Sequence, residues 1–503
     1  MTVKKNILVN YLGNAWSALM GFIFVPIYIS YLGIESYGLI GFFVVFQGLL
    51  ALLDIGLSPT LNREMARFKA GAHTPQSIGN LLRTVEIIYF IVAILIFFII
   101  FSGASFIAID WLKIQNIEID TVIEALNLTA IILAIRWMGI IYRSAIIGLQ
   151  EHVWLNTWII FIATLRGAGV IAVLEFISPT IKVFFIFQAI IALLELILFF
   201  FKIKSLLPSP KEPVYFSIKS LKNVWKFAGG IMIITLLATL LTQIDKVLLS
   251  TLLTLEEFGY FSIAVAIAGI LSLFIAPINN VAFPHFTQLI TSRKKREFID
   301  QYHKFSQLMT IMIVPATLVL SFFSKEVVLL WSHDETLTNY VAPIVSIWII
   351  GTALNGIMHI PYLAQLSHGW SRLTVIINVF AIMLIIPLFI YIVPLYGIIS
   401  AAWIWVGINL GYILISISFM HKKILRKEKW KWYIYDLFIP TFLSLFVVIL
   451  AREFLDNLMI VNPYLLTFYI FTVGLITFIV SILSTKIGRQ YILNFLKRYF
   501  NDR

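Results

Sequence analysis

Three arginines stand where arginine is expensive. Arg136 and Arg143 fall in the stretch 122–148 and Arg166 in 154–177, both otherwise rich in Ala, Ile, Leu and Trp. A charged group at bilayer depth costs about 2.5–3.5 kcal/mol on insertion scales, which makes each a candidate functional residue. Arg136 and Arg143 are seven residues apart, two helical turns, so they share a face about 10 Å apart along the axis. Arg166, near the middle of its own stretch, can meet Arg136 at similar depth, with Arg143 as the lower step. The three form an anion ladder, because guanidinium stays charged in a dry cavity and offers a planar fork of donors that matches phosphate oxygens. Lys182, at the head of the next apolar stretch, adds to the basic character. The alternative is internal pairing with Asp54, Glu195 or Glu175, or, for Arg143, a side chain that snorkels to the membrane surface.

The remaining ionisable groups in apolar stretches are candidates for coupling and gating. Asp54 lies in the inner third of 36–57, Glu195 in that of 180–201, and Asp245 with Lys246 in the outer third of 227–252. Desolvation raises a carboxylate's pKa and a neighbouring cation lowers it. A carboxylate caught between the two can change protonation during a conformational cycle, which would couple the protein to protons; a Na⁺ site is the other option, and simple interhelical locking a third. Asp245 and Lys246 are adjacent and do not face one another on a helix, so different contacts are expected for them. His359, two residues before Pro361, is a candidate cavity-lining residue.

These groups must be positioned by membrane-spanning helices. The 503 residues are 60% hydrophobic and 12% charged, with mean hydropathy +0.96, against roughly 25% charged for an ordinary soluble domain. Apolar runs long enough to cross about 30 Å of hydrocarbon recur throughout, and fourteen spans are expected, from 7–30 to 463–485. The first runs longer than a signal-peptide core and lacks a clear cleavage site, so it is expected to be retained. The fold class is therefore all-α and polytopic. The net charge of +12 would suggest nucleic acid in a soluble protein. Here the cations sit in alternate loops, where topology and anionic headgroups account for them.

Lys4, Lys5, Arg63, Arg67, Lys69, the segment 202–226, Arg293 to Arg296, Arg372, 421–432 and the tail with Lys486, Arg489, Lys497, Arg498 and Arg503 all fall on one side. By the positive-inside rule that side is cytoplasmic, with both termini. The longest outer connection, 110–121, is too short for a domain, which disfavours a membrane polymerase or ligase for glycans. There is no cysteine and no GxxxxGK[ST], HExxH or GxSxG pattern, so no thiolate chemistry, metal or nucleotide cofactor is expected.

The turn Leu32-Gly33-Ile34-Glu35-Ser36-Tyr37-Gly38-Leu39 is echoed by Leu253-Thr254-Leu255-Glu256-Glu257-Phe258-Gly259-Tyr260, an aliphatic residue, Glu, any residue, an aromatic and Gly. A repeat unit of six helices follows, with lobes at 1–203 and 227–421, a basic linker at 204–226 carrying Pro208, Pro210 and Pro213, and two further helices with a basic tail in 422–503. Repeats of even helix number keep one orientation, a plan that secondary transporters use for rocking-type alternating access. Pro26, Pro277, Pro284, Pro315, Pro343, Pro361 and Pro387 fall within or at the ends of spans, where each can bend its helix.

Short motifs carry a family likeness: Pro26-Ile27-Tyr28-Ile29-Ser30-Tyr31-Leu32-Gly33 with Tyr37-Gly38, Leu53-Asp54-Ile55-Gly56-Leu57-Ser58-Pro59 followed by Arg63-Glu64, Gly148-Leu149-Gln150, and Gln243-Ile244-Asp245-Lys246-Val247-Leu248-Leu249. In order and placement the chain resembles the Wzx-type polysaccharide-repeat (O-antigen or capsule) flippases of the multidrug/oligosaccharidyl-lipid/polysaccharide exporter superfamily. The resemblance implies two lobes around a central cavity in a bacterial inner membrane. It also implies translocation of an undecaprenyl-pyrophosphate-linked oligosaccharide from the cytoplasmic to the periplasmic leaflet, with H⁺ or Na⁺ as coupling ion. A polysaccharide polymerase and a chain-length regulator would be further partners. The nearest competitor is a multidrug or cation extruder of the same fold, which should present an acidic cavity where Arg136, Arg143, Arg166 and Lys182 make this one basic.

Overall fold

A computed structural model of the chain describes residues 3–54, 56–210, 212–458 and 462–490; the side chains of 3–8 and of most of 223–238 lie outside the description. Helix is the only regular structure among the described residues apart from an isolated bridge between Lys113 and Thr254. That is the expected solution in lipid, where each backbone N–H and C=O must be satisfied within its own segment. In chain order the helices are α1 (Val9–Leu32), α2 (Ile34–Leu52), α3 (Leu57–Lys69), α4 (Pro75–Trp111), α5 (Ile119–Gly148), α6 (His152–Phe176), α7 (Ile181–Leu206) and α8 (Ile218–Leu252). They continue as α9 (Leu255–Thr291), α10 (Lys295–Phe322), α11 (Ser324–Ser332), α12 (Glu335–Ser367), α13 (Arg372–Tyr396), α14 (Ile398–Lys423), α15 (Lys429–Asn457) and α16 (Pro463–Ser484).

Thirteen of these, among the described residues, are long and apolar enough to cross a membrane. The protein is a multi-pass membrane protein. The fourteenth expected span, 227–252, lies within α8, many of whose side chains fall outside the described residues. So do Lys4, Lys5, Lys211, Lys226, Lys497, Arg498 and Arg503, all counted above for topology.

Two boundaries differ from expectation. The expected span 36–57 stops at Leu52, because Gly56 adopts a left-handed conformation (φ 71°) that turns the chain into the short amphipathic α3. Asp54 therefore sits in the turn and not in the helix. The expected span 305–331 breaks at Phe323, which is fully buried against Val448, Leu455, Ile470 and Val473 of α15 and α16; α11 begins at the next residue.

The chain divides into two compact units between Gly259 and Tyr260. In the first, α5 is central and packs on α3, α4 and α7. Leu133, Trp137, Ile141 and Ala145 recur on its buried face at helical spacing. Trp137 stacks on Tyr89 with ring centroids 4.5 Å apart and donates its indole N–H to the Tyr89 carbonyl at 3.1 Å, so it is a packing residue. In the second unit α10 packs on α12, α15 and α16, and α12 on α14. Trp430 is exposed, as an interfacial residue should be. Its neighbour Trp432 is instead buried and donates to Ser306 Oγ at 3.1 Å.

Each unit leaves large apolar side chains on its outside, among them Phe90, Phe98 and Ile99 of α4 and Phe468 and Phe471 of α16. In water such a surface would aggregate; against lipid tails it is the required finish.

The two echoed turns meet within the first unit. A Cβ on Gly38 would stand 2.1 Å from the Leu255 carbonyl oxygen, and one on Gly259 would stand 2.6 Å from that of Ile34. Each glycine thus faces the residue four before the other, a reciprocal contact that only a missing side chain permits. Around it, Glu35 accepts backbone N–H groups of Gln115 (2.6 Å) and Asn116 (2.8 Å). Thr254 and Glu257 close a capping box at the head of α9.

Candidate functional site

Five of the charged residues singled out by sequence come together in the first unit. Arg136 and Arg143 from α5, Arg166 from α6, Glu195 from α7 and Asp54 from the turn before α3 line one cavity of about 310 Å³. The motifs explain how each is held.

Arg166 lies in a turn of π-helix, Leu165–Gly169, inside α6. Such a turn shifts the hydrogen-bond ladder and leaves carbonyls poorly paired, a feature common at functional sites. Tyr28, from the Pro26 to Gly33 motif, supplies the missing donor: its hydroxyl lies 3.2 Å from the Arg166 carbonyl and 3.1 Å from that of Gly167. Tyr31, one turn further on, donates to Glu175. That occupies one of the carboxylates that could have neutralised an arginine.

Asp54 is held differently. It accepts the Ser58 backbone N–H at 3.0 Å, the Ser58 hydroxyl at 2.6 Å and the Tyr89 hydroxyl. A carboxylate at the positive end of a helix is well placed, and these three donors engage both of its oxygens. Nearby, Glu64 of the same motif is buried and takes Arg67 at 3.0 Å and His73 at 2.7 Å. Arg67 and His73 are thereby held by Glu64, and none of the three lines the cavity.

Arg136 has no carboxylate partner among the described residues. Its Nη1 donates to Gln47 Oε1 at 2.8 Å, its Nη2 to Gln188 Oε1 at 3.0 Å, and the Phe43 ring lies 5.0 Å from the guanidinium carbon. Arg166 is ion-paired with Glu195. The Nε atoms of both arginines are buried without a hydrogen-bond partner among the described residues, and buried donors left unmade are costly. Arg143 is exposed to the cavity space and has no hydrogen bond or ion pair among the described residues. Three guanidiniums thus face two carboxylates, and only Glu195 binds one of them.

Sequence reasoning missed Gln47, Gln188, Tyr28 and Tyr89. The signal for the glutamines was present, since an amide in an apolar span must find a partner, but nothing in one sequence tells which helix it faces.

The other candidates lie elsewhere. Lys182 is half-exposed at the head of α7 and pairs with Glu124 at 2.9 Å. Asp245 is buried, and Lys246 Nζ reaches its Oδ1 at 3.4 Å while also donating to the Thr242 carbonyl. The expectation of separate contacts for these two is corrected: their Cβ vectors diverge, but the long lysine stem folds back across the helix surface. His359 belongs to the second unit, where its Nδ1 lies 2.9 Å from Asn279 Nδ2. Among the described residues no group of three His, Asp or Glu is arranged to hold a metal ion.

Comparison with known proteins agrees with the motifs. A Shigella flexneri protein named "Putative O-antigen transporter" is 21% identical over 413 residues, covering 80% of this chain and 94% of that protein. The inward closed structure of the lipid II flippase MurJ superposes with a TM-score of 0.66 at 13% identity, covering 95% of this chain and 97% of that one. An inward-facing multidrug resistance MATE family transporter of the MOP superfamily gives 0.63 at 16%, covering 85% and 96%. At these identities the structures establish the fold, which is that of MOP-superfamily transporters. The family described as "Polysaccharide biosynthesis protein" matches residues 3–290, more than half of the chain. With the motif residues Tyr28, Asp54 and Glu64 accounted for inside that range, the chain belongs to the polysaccharide biosynthesis protein family.

Proposed function

We propose that this protein is a flippase, with no enzymatic step of its own, that carries a lipid-linked oligosaccharide from the cytoplasmic to the periplasmic leaflet of the bacterial inner membrane by alternating access. The observation that carries the reading is the surplus of guanidinium over carboxylate in the α2/α5/α6/α7 cavity. A volume near 310 Å³ is at the small end of ligand pockets, room for a headgroup and not for an oligosaccharide. A diphosphate is the part of an undecaprenyl-pyrophosphate-linked substrate that most needs such a place, because it cannot shed its charge and requires several N–H donors at once. Arg143 has a guanidinium unpaired among the described residues, and Arg136 and Arg166 line the same cavity.

In this scheme the incoming phosphate competes with Glu195 for Arg166. The carboxylate so released is the coupling group, able to take H⁺ or Na⁺ as the protein resets. Asp54 senses the same change through Tyr89 and Ser58; Asp245, Lys246 and His359 are not among the residues that line the anion cavity. A drug or organic-cation extruder would need the opposite cavity charge. The curated relative's name and the family's description support the polysaccharide pathway.

The test is a deletion strain in which undecaprenyl-linked intermediates are extracted and assigned to a leaflet. Accumulation of the completed repeat on the cytoplasmic face with loss of surface polysaccharide is the expected result. Normal surface glycan together with new sensitivity to cationic drugs would overturn the proposal in favour of an extruder.

A further inference from the structure

The second unit contains a basic recess that the proposed transport does not use. It measures about 690 Å³ and lies where three helix ends converge: the α9 to α10 turn, the α12 to α13 turn and the end of α14. Arg293 and Lys295 come from the first, His368 and Trp370 from the second, and Lys423 from the third, over a floor that includes buried Phe298. Among the described residues no carboxylate lines it. The nearest acid on the same turn, Glu297, is engaged at 3.0 Å by Lys294, whose side chain is not part of the recess.

Two other cationic clusters of the protein carry an internal counter-charge that the lining of this recess lacks among the described residues. Arg67 and His73 are taken by Glu64, and Lys431 with His303 by Glu428. Here Arg293 and Lys295 have no side-chain partner among the described residues. Lys423 is held with its ammonium 3.9 Å from the centroid of the Trp370 ring, which fixes its direction without neutralising it. His368 donates Nδ1–H to the Ala364 carbonyl at 2.8 Å, because a carbonyl can only accept, and its Nε2 edge is left for a ligand.

We propose that this recess binds the phosphate headgroup of an anionic membrane phospholipid. The three turns are the ends of membrane spans, so the recess lies at the level where headgroups are found. A tryptophan rim with an apolar floor suits the glycerol and the first methylenes of a lipid. Basic pockets between helix ends on the cytoplasmic side are the usual seats of such headgroups, each basic residue contributing about fivefold in affinity. The positive-inside rule by itself asks only for cations in these loops; it does not ask for cations from three loops to converge on one concavity lacking an acid.

The experiment uses the purified full-length protein in a neutral detergent, with bound lipid counted by native mass spectrometry and stability followed by thermal unfolding. Phosphatidylglycerol, phosphatidylethanolamine and inorganic phosphate are compared. The expected result is binding and stabilisation by phosphatidylglycerol in preference to phosphatidylethanolamine. The combined variant Arg293→Gln, Lys295→Gln, Lys423→Gln should then weaken phosphatidylglycerol binding on the order of 100-fold. Lys294→Gln, one residue away and paired with Glu297, should leave it unchanged. Equal binding of the two lipids by the unaltered protein would overturn the proposal, as would equal losses in the Lys294 and combined variants. Stabilisation by inorganic phosphate matching that by phosphatidylglycerol would assign the site to a soluble anion instead.

Discussion

At the scale of single residues, a guanidinium in a membrane protein is informative when its partners do not cancel it. Arg136 is held by two amides and an aromatic ring, Arg166 by one carboxylate, and Arg143 by nothing among the described residues. If this surplus charge receives a diphosphate, Arg136→Ala and Arg166→Ala should each lower transport by at least about tenfold, the scale of a lost charge-assisted hydrogen bond of roughly 1.5–3 kcal/mol. The Lys variants should keep part of the activity, with charge retained but the fork lost. The measurement is surface polysaccharide in a complemented deletion strain, with membrane insertion checked by immunoblot. Full activity in both Ala variants would remove the anion ladder. The arginines were legible in the sequence because polar outliers in apolar runs stand out. Their partners were not: buried spans are apolar all round, so the pairing of Arg166 with Glu195 and of Arg136 with Gln188 depends on helix rotations that no periodicity encodes.

At the scale of elements, the spans themselves were readable from apolar length alone. What length could not show was where a helix stops for a reason other than polarity: the left-handed Gly56 that ends α2 early, and the buried Phe323 that separates α10 from α11. The echoed turns were readable as a pattern, and the structure adds why both end in glycine. Gly38→Ala would push a methyl group into the Leu255 carbonyl, and overpacking of this kind costs about 1–3 kcal/mol. Gly407→Ala, with open space around its Cβ, should be neutral or slightly stabilising. Thermal unfolding of the two purified variants separates them, and equal melting temperatures would contradict the close approach.

A second device at this scale is the strap after α7. Gln76, Asn80 and Thr84, one turn apart on α4, accept the backbone N–H groups of Glu212 (3.2 Å), Tyr215 (3.1 Å) and Ser217 (2.9 Å), and Gln76 donates to the Pro213 carbonyl at 3.2 Å. Part of the basic, proline-rich stretch that reads as a linker is therefore docked on α4. Removing three of those bonds with Gln76→Ala and Asn80→Ala, at about 1 kcal/mol each, should open the strap enough for a broad-specificity protease to cut within 207–217 at least tenfold faster. An unchanged digestion rate would mean that the strap is held by something other than this ladder.

At the scale of the whole molecule, orientation is a matter of charge and not of fold, because the fold is the same whichever way it is inserted. The argument for cytoplasmic termini rests on charge. Counting spans along the sequence puts Arg63, Arg67, Lys69, Lys202, Lys204, Arg293 to Arg296 and Lys422 to Lys431 on one expected side, against Asp110, Glu118, Asp120, Glu256, Asp334 and Glu335 on the other. Insertion retains loops rich in Lys and Arg, whereas acidic residues contribute little, so the bias of cations is the part that decides. The complete lack of cysteine makes the prediction direct to test, since any introduced thiol is the only one present. Asn116→Cys, in the connection between α4 and α5, should react with a membrane-impermeant maleimide in right-side-out spheroplasts. Ser209→Cys, in the stretch between α7 and α8, should react only after permeabilisation. The reverse pattern would invert the protein. It would then place the α4 to α5 connection in the cytoplasm and require the cationic loops to have been translocated against the energetics that otherwise retain them.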